Sequence, residues 1–450
     1  MLKKYVEENE DFLTGARIQK IQQPTRRDFI FAIRNNGETR KLYININPQY
    51  YHICFMSKEN EAKRLIDIPQ KPPMFCMLLR KYIENAVIAR VNQPEYERIL
   101  EFYIETYNEL SEKIYLCLAI ELMGKYSNVV LYNYDTNIIL GCAHNVGAEK
   151  SREREMAGGL PYIYPQGRPN QWYQGESIDN IDDYYAQIIY KDKFEKLKSA
   201  CIQIVLKKLK KDETSLKKMQ SGKDKNYDKY RLYGNLIMAN LYSCQDYSRS
   251  IDVFDYENNK KITIELDETK TLKDNANRFY KLYNKGKTAN EKIIELSSAL
   301  KENIQYYEQI LYSLEFASDI DTLWEIKSEI EPEKVQKAPK KSQLEPIEID
   351  GCKVYVGKNN RQNDLIVSKI SRDEDYWFHT KDSAGSHVLL QCENPSDKLI
   401  LECAKLAKKY SKGSLSSKVR VIYTKRKYLK KPPKSNLGYV TYKNEREIIV

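Results

Sequence analysis

The amino-acid sequence predicts an α+β protein with several domains. The chain has 450 residues, which is enough for two to four domains of ~100–200 residues each. Strand-like and helix-like segments alternate at both ends, and a long helical stretch lies between them. The hydrophobic content of 41% and the aromatic content of 11% are too high for a disordered chain.

The first predicted domain, residues 1–160, opens with short strands. RIQKIQQP, DFIFAIRNNG and KLYININP are separated by Pro24, an Asn-Asn-Gly turn and Pro48. A helix is predicted after Pro72 and Pro73, because proline suits the first helical turn. Strands resume at RILEFYIET, KIYLCLAIEL and SNVVLYNYDTNIIL, so this domain is of mixed α/β structure.

The middle of the chain is predicted to be helical. Residues 161–190 are rich in Pro, Gly, Asn and Tyr and predict a linker. Within 191–330, apolar residues recur at spacings of three and four over the arms 194–219 and 293–314. These arms predict an antiparallel coiled-coil hairpin, with a small module of one helix and two strands, residues 227–285, between them. Two amphipathic helices packed on a globular core are the alternative.

A second linker, residues 331–347, is predicted from three prolines and seven charges. The final domain, residues 348–450, contains the strand-like runs CKVYVG, DLIVSKIS, YWFHT, HVLLQ, KVRVIYT, GYVTYK and REIIV. A helix is predicted to begin at Pro395-Ser396 and to run through KLILECAKLAKKY. This domain is therefore predicted to be α+β.

The positive charge of the chain is concentrated in this last domain. Residues 351–450 hold 21 Lys and Arg against 10 Asp and Glu, which leaves 53 of each sign in the remainder of the +11 chain. One basic module on a neutral body is typical of a protein that contacts a polyanion.

Several other classes of protein are excluded. No stretch reaches the ~18 apolar residues of a membrane span, and the N-terminus has no apolar signal region, so we expect a cytoplasmic protein. The nine cysteines form no CxxC pair, and His379, His387 and Cys392 lack a zinc spacing, so we expect no metal and no cofactor. Ser386 beside His387 lacks the G-x-S-x-G elbow of a hydrolase.

The run DEDYWFHTKDSAGSHVLL at 373–390 resembles the RNA-binding domain (NFACT-R) of the NFACT family. Further blocks that resemble the family, in the same order, are PPMFCMLLRK (72–81), ERI (97–99), ELMGKYSNVVLYN (121–133), KYRLYGNLIMANL (229–241), NANRFYKLYNKGK (275–287) and VGKNNRQND (356–364). The resemblance implies an NFACT-N domain at the N-terminus. It also implies a shortened form of the family, because residues 161–190 are too few for the helix-hairpin-helix region that bacterial relatives carry.

RNA-binding residues are expected in the C-terminal domain. Cations suit phosphate contacts and planar rings suit base stacking; the candidates are Lys358, Arg361, Trp377, His379, Lys381, His387, Lys425, Arg426, Lys427, Lys430, Lys431 and Lys434. In the alternative interpretation, alternate members of YWFHT face the core, and the basic run 425–434 is a solvated loop.

Transfer-RNA contacts are implied in the N-terminal domain. Glu97 and Arg98 match the family's Asp-Arg pair, and Glu121, Leu122 and Met123 match its Glu-Ile/Leu-Met motif. A carboxylate accepts from cytosine, and Arg binds guanine or phosphate bidentately. A surface ion pair is the alternative for Glu97 and Arg98. Because Glu replaces the usual Asp, the choice of transfer RNA is open.

The resemblance implies a ribosome quality-control factor. Such a factor binds a large ribosomal subunit, with its ribosomal RNA and an obstructing peptidyl-transfer RNA, and recruits alanyl-transfer RNA for non-templated alanine tailing. We expect a monomer with no membrane partner and no covalent catalysis of its own. The alternatives are an RNA-binding rescue factor without tailing and a surface fibronectin-binding adhesin. A DNA glycosylase, whose fold the NFACT-N domain resembles, is excluded because residues 1–3 are Met-Leu-Lys and no zinc-finger cysteines follow.

Overall fold

The computed structural model describes residues 2–94, 97–108, 110–149, 154–165, 178–221, 227–332, 344–381, 383–433 and 435–450. The chain divides into two compact units, unit 1 (Met1–Glu195) and unit 2 (Lys196–Val450). Among the described helices, none has the length and hydropathy needed to cross a bilayer.

Unit 1 is built on an antiparallel sheet of nine strands in the order β4-β3-β2-β1-β5-β6-β7-β8-β9. The strands are β1 (Arg17–Thr25), β2 (Asp28–Asn35), β3 (Glu38–Asn45), β4 (His52–Met56), β5 (Val87–Asn92), β6 (Ile99–Tyr107), β7 (Lys113–Glu121), β8 (Asn128–Asn133) and β9 (Ile139–Cys142). The helices are α1 (Leu2–Leu13), α2 (Lys58–Lys63), α3 (Met74–Ile83) and the start of α4 (Ile181–Ser221).

Both faces of the sheet are covered at β6 and β7. Leu100 and Phe102 face the main core with α1 and α3, whereas Ile99 and Cys117 face a second cluster that includes Tyr162. This alternation follows from the period of two in a strand. The strands and the helix α3 predicted from the sequence are present, whereas α1, α2 and β4 were not predicted. The helical run predicted after Pro73 is wrong at its end, because α3 stops at Ile83 and residues 87–92 form β5.

The first turn of α4 is fixed to unit 1 by a buried ion pair. Asp182 accepts from Arg64 Nη1 at 2.5 Å and from the backbone N–H of Ser57 at 3.0 Å. Arg64 is fully buried. These hydrogen bonds lower the pKa of Asp182, although burial of its carboxyl acts in the opposite direction. The helix begins at Ile181, whereas the sequence predicts a helical pattern only from Lys191.

Unit 2 contains a long helical hairpin formed by the rest of α4 and by α6 (Leu272–Phe316). Lys198 donates to the carbonyl of Glu315 at 2.9 Å. Further along α4, the Asp212 carboxylate acts with burial to raise the pKa of Tyr307. Later residues of α4 therefore lie beside earlier residues of α6, which makes the two helices antiparallel.

The small module between the two arms has the predicted elements. They are α5 (Asp228–Ala239), β10 (Ser250–Asp255) and β11 (Lys260–Glu265). The two strands pair as a hairpin, and α5 packs against the start of α6 through a core that includes Ile237 and Phe279. A short helix α7 (Ile320–Ile330) follows α6.

The C-terminal part of unit 2 is an antiparallel sheet of six strands with helices on it, in the order β12-β13-β15-β14-β16-β19. Its elements are β12 (Ile347–Ile349), β13 (Cys352–Val356), α8 (Asn360–Leu365), β14 (Tyr376–Thr380), β15 (Val388–Gln391), α9 (Asp397–Lys409), β16 (Arg420–Lys425) and β19 (Arg446–Ile449), with a separate pair β17 (Leu429–Lys430) and β18 (Thr441–Tyr442).

One predicted strand is wrong. The run DLIVSKIS ends α8 and continues as a π-helical turn, Ile366–Ile370. Asn359 starts this helix, because its side chain accepts from the backbone N–H of Gln362 at 2.9 Å. Ile366 and Val367 then bury their side chains against Trp377, so the β-branched residues serve the core from a helix. As predicted, Ser396 caps α9.

Candidate nucleic-acid interface

The two N-terminal motifs meet at one end of the unit 1 sheet. Glu97 and Arg98 directly precede β6, and Glu121 ends β7, where it pairs with Ile99. The pairing extends by one hydrogen bond, from the backbone N–H of Leu122 to the carbonyl of Arg98 at 2.9 Å. The antiparallel register therefore brings together two segments that are separate in sequence.

These residues divide into an exposed and a buried group. Arg98 is exposed and donates from Nη1 to the Tyr51 hydroxyl at 3.4 Å. Glu97 and Met123 are partly buried. Glu121 is fully buried, and Leu122, which is 6% exposed, belongs to the main core. In this conformation a ligand can reach Arg98 and the accessible parts of Glu97 and Met123. It cannot reach Glu121 or Leu122.

The Glu121 carboxylate is fully engaged inside the protein. Arg154 donates to it twice, at 3.0 and 2.5 Å, and the Tyr162 hydroxyl donates at 2.9 Å. Burial and the charge of Glu121 raise the pKa of Tyr162, which keeps this hydroxyl a donor. A buried charge with complete partners is typical of a structural element rather than a ligand contact.

A second buried carboxylate, Glu101 of β6, lies on the same face of the sheet as Glu121. It accepts hydrogen bonds from Asn92 at 2.9 Å, Tyr103 at 3.0 Å, Tyr132 at 3.3 Å and, also closely, Tyr164. Glu101 and Glu121 together bind Arg154, Tyr162 and Tyr164, so they tie the segment 154–165 to the sheet. These partners were not predicted from the sequence. The signal was a glutamate in or next to a buried apolar run, Glu101 within ILEFYI and Glu121 after IYLCLAI.

In the C-terminal domain, Trp377 and Phe378 are buried on opposite faces of the sheet. Trp377 is 1% exposed and packs in the cluster of Ile366, whereas Phe378 packs on the other side of the sheet among the α9 residues. A nucleic-acid base has no access to the Trp377 ring. The alternative interpretation, in which strand residues face the core, therefore describes both side chains.

His379 and His387 surround this tryptophan. The His379 ring stacks on Trp377 with centroids 5.7 Å apart, and the His387 ring meets it edge-on at 5.2 Å. His387 is 4% exposed, and His379 is partly buried. Burial lowers the pKa of both imidazoles, so they are neutral near pH 7.

Four of the predicted cations are engaged by carboxylates. Lys425 and Lys427 share Glu374, at 2.6 and 2.8 Å, and Lys381 pairs with Glu447 at 2.9 Å. Lys431 pairs with Asp364. The hydrogen bonds from Lys425 and Lys427 lower the pKa of Glu374 to about 2, so this carboxylate stays charged.

The remaining predicted cations fall into three groups. Arg426 donates from Nε to the Val367 carbonyl and to the Ser371 hydroxyl, both at 3.2 Å. Lys358, Arg361 and Lys430 are exposed; Lys358 and Lys430 have no carboxylate partner within the described part of the chain, whereas the charge of Arg361 acts on the Glu329 carboxylate of α7. Lys434 lies outside the described residues.

The loop before His387 is held by helix α6. The Gln309 side chain donates to the Gly385 carbonyl and accepts from the Gly385 N–H, both at 2.8 Å. A Cβ on Gly385 would lie 2.8 Å from Thr380 Oγ1 and 3.0 Å from Ser411 Cβ, so the site requires glycine. The most specific motif of the sequence therefore forms a fixed junction between the hairpin and the C-terminal sheet.

Asparagines of α8 complete this junction. Asn359 Nδ2 donates to Glu325 at 2.9 Å, and Asn360 Nδ2 donates to Glu329 at 3.0 Å. Burial raises the pKa of Glu329, against the effect of the hydrogen bonds that it accepts from Tyr306 and Asn360. Both glutamates belong to α7, so α6 and α7 together position the segment that carries Lys358 and Arg361.

Known proteins share sequence with both parts of the chain. Residues 1–179 and 173–345 match the NFACT N-terminal and middle domains, and residues 345–444 match the NFACT protein RNA binding domain. The chain is 28% identical to "Rqc2 homolog RqcH" of Bacillus subtilis (strain 168) over 548 positions, which cover 97% of this chain and 95% of the relative. It is 28% identical to "Rqc2 homolog RqcH" of Streptococcus pneumoniae serotype 2, with coverage of 99% and 96%.

A solved structure is also similar in sequence. The C-terminal part of the fibronectin/fibrinogen-binding protein from Streptococcus suis is 27% identical, covers 58% of this chain and 95% of its own, and has a TM-score of 0.46. The alignment with the Bacillus relative is longer than the chain, since 548 positions minus 450 residues leaves 98. At least that many positions of the alignment have no residue of this chain.

Proposed function

The chain belongs to the NFACT family, and from this premise we propose that it acts as a ribosome quality-control factor. It binds large ribosomal subunits obstructed by peptidyl-transfer RNA and recruits a transfer RNA, alanyl-transfer RNA in the first instance, for non-templated tailing of the nascent chain. The nearly full-length similarity to two proteins named RqcH and the matched RNA-binding domain support this proposal.

The observation that supports the proposal is that each unit exposes cationic side chains of a family motif. Unit 1 exposes Arg98 beside Glu97 at a sheet end, and unit 2 exposes Lys358 and Arg361 on the matched RNA-binding domain. A chain with two such places can bind two RNA segments at once. The bond is then formed by the ribosome, and this protein contributes positioning.

The N-terminal motif residues have different roles in this proposal. Glu97, Arg98 and Met123 contact the transfer RNA, whereas Glu121 and Leu122 fix the sheet end from inside. The longer side chain of Glu97, relative to the family's Asp, adjusts which base it meets. The side chain of Glu97 therefore bears on which transfer RNA is recruited.

The test is a pull-down of the tagged full chain at two salt concentrations, with sequencing of the bound RNA. We expect large-subunit RNA together with one dominant transfer RNA. Arg98→Ala is expected to lose the transfer RNA and keep the ribosomal RNA. Arg34→Ala is the matched control, because Arg34 is also an exposed arginine of unit 1 that donates to a hydroxyl, Thr39 Oγ1 at 3.2 Å.

The outcomes separate two functions. Large-subunit RNA and alanine-tailed nascent chains, detected by mass spectrometry, support tailing. Large-subunit RNA without transfer RNA or tails supports an RNA-binding rescue factor. The alignment positions that this chain lacks relative to the Bacillus relative favour that second candidate. Enrichment of neither RNA contradicts both.

A further inference from the structure

Two exposed arginines lie on the turn between β1 and β2. Arg26 and Arg27 have no carboxylate partner within the described residues. The one acidic residue of the turn, Asp28, accepts hydrogen bonds from Thr25 at 2.5 Å, Tyr43 at 2.6 Å and Asn45 at 2.6 Å. The turn therefore presents two positive charges whose local carboxylate is already engaged.

This turn is linked to the Arg98 motif through the loop 46–51. The backbone N–H of Ile46 donates to the Arg27 carbonyl at 2.8 Å. At the other end of the loop, the Tyr51 hydroxyl accepts from Arg98 at 3.4 Å. The Tyr51 ring also lies 3.8 Å from where a Cβ of Gly124 would stand, so the loop reaches the connection between β7 and β8.

The turn of Arg26 and Arg27 is also linked to the start of β8, through His144. Asn128, which begins β8, exchanges two hydrogen bonds with the backbone of His144, at 2.9 and 3.0 Å. The pKa of His144 is lowered by burial and then by the charges of Arg27 and Arg26. Both arginines therefore lie within electrostatic reach of the β8 side of the motif.

The connection between β7 and β8 adds a fourth cation. Lys125 is exposed, and its ammonium lies 4.8 Å from the ring of Tyr126, which is itself 64% exposed. Arg98 contacts Tyr51, Lys125 follows Gly124, which lies against the Tyr51 ring, and the turn of Arg26 and Arg27 is bonded to the same loop at Ile46, so the four cations lie on connected segments of unit 1. We call these four cations the basic rim.

We infer that the basic rim binds the sugar-phosphate backbone of the transfer RNA that Glu97 and Arg98 contact, and that the Tyr126 ring offers a stacking surface beside it. The inference rests on the proposed function and deepens it. Charge complementarity favours an RNA, because the rim has unpaired arginines and an exposed aromatic ring next to the motif. It assigns RNA contacts to Arg26, Arg27, Lys125 and Tyr126.

The test measures binding of the purified full chain to fluorescently labelled bulk deacylated transfer RNA over a range of KCl concentrations. Arg26→Ala/Arg27→Ala is expected to raise Kd about tenfold and to reduce the slope of log K against log salt by about 1.5, since two phosphate contacts are lost. Lys3→Ala/Lys4→Ala is the matched control, because it removes two adjacent exposed cations of α1 in the same unit.

Three results would overturn the inference. The first is a wild-type Kd and salt slope in Arg26→Ala/Arg27→Ala while Arg98→Ala loses transfer RNA. The second is an equal loss in the Lys3→Ala/Lys4→Ala control. The third is retained RNA binding with loss of an acidic protein partner in the pull-down. Failure of the proposed function is distinct, because the wild-type chain would then enrich no large-subunit RNA. Equal melting temperatures of all variants show that folding is intact.

Discussion

The two basic regions of the molecule differ in how their cations are engaged. The C-terminal hundred residues hold the whole charge surplus of the chain, yet Lys381, Lys425, Lys427 and Lys431 there are bound by carboxylates. Unit 1 belongs to the electrically balanced part, yet its basic rim has no carboxylate partner in the described residues. Net charge shows where cations are abundant, and only the fold shows which ones are available.

The difference matters because a phosphate must compete with the protein's own carboxylates. An exposed ion pair is worth about 0–1 kcal/mol, so a phosphate can replace a carboxylate at small cost. A replaced carboxylate nevertheless remains beside the RNA and repels it. Unpaired cations therefore contribute more to RNA affinity than paired ones of the same charge.

The largest effect is expected at the paired charge inside unit 1. Glu121→Ala leaves the Arg154 guanidinium buried without its carboxylate, which costs about 3–5 kcal/mol of folding free energy. Glu97→Ala is the control, because Glu97 is only partly buried and its carboxylate has no ion pair within the described residues; it is expected to change stability by less than about 0.5 kcal/mol. Urea unfolding followed by far-UV circular dichroism measures both. Equal stability of the two variants would show that Glu121 is not the internal anchor that its contacts indicate.

A second test asks whether histidines add charge to the C-terminal domain. Their pKa values are lowered in the fold, so His379 and His387 bind fewer protons when folded than when unfolded. The stability that comes from keeping these histidines neutral in the fold is fully present above pH ~6.5. As the pH drops below that value, the free energy of unfolding falls by up to about 1.4 kcal/mol per pH unit for each histidine.

The measurement is urea unfolding at pH 7.5 and pH 5.5. His387→Phe removes one titrating group, so the variant should lose less stability than the wild-type chain between these two conditions. An equal loss in both proteins would mean that folding does not lower the pKa of His387. His387 would then be a further cation of the RNA-binding domain at pH 5.5.

The smallest effect is expected when unpaired and paired cations are compared directly, in two double variants that each remove two positive charges. Lys358→Ala/Lys430→Ala removes exposed cations that have no carboxylate partner in the described residues and is expected to weaken RNA binding about tenfold, whereas Lys425→Ala/Lys427→Ala removes paired ones and should weaken it about threefold. Glu374→Gln removes the carboxylate that pairs with both lysines. It should strengthen RNA binding about two- to threefold, because both lysines then become available to phosphate. Fluorescence anisotropy at fixed salt reads all three. A reversed order of the double variants would refute the role given to pairing.

Local patterns predicted much of the fold. The strands of unit 1 follow from alternation bounded by turn residues, and α9 follows from Ser396 and its apolar spacing. Two elements needed information beyond their own segment. Half of the residues of helix α1 are charged, and α8 with its π-turn depends on Asn359 and on a core that accepts Ile366 from a helix. Composition alone favours a strand there.

The candidate site was predictable only in part. The resemblance identified Glu97, Arg98 and Met123, and the structure exposes or partly exposes them. It did not identify Arg26 and Arg27, because their link to the Arg98 segment is made by tertiary contacts such as those of the loop 46–51. In the same way, the alternation of YWFHT indicates two faces, but the covering of both by packed cores, which buries Trp377, is a tertiary effect.

The side-chain contacts on either side of residues 166–177 bear on where the chain tolerates insertions and deletions. Before this stretch, Tyr164 is bonded to Glu101, and after it Asp182 is bonded to Arg64, and all four residues belong to unit 1. Each end is fixed by contacts within the described residues, and each doubling of a flexible connection between two fixed points costs only about 0.6 kcal/mol. A whole folded module could be inserted or deleted here by recombination without disturbing the sheet, which makes this stretch a natural point for domain gain and loss.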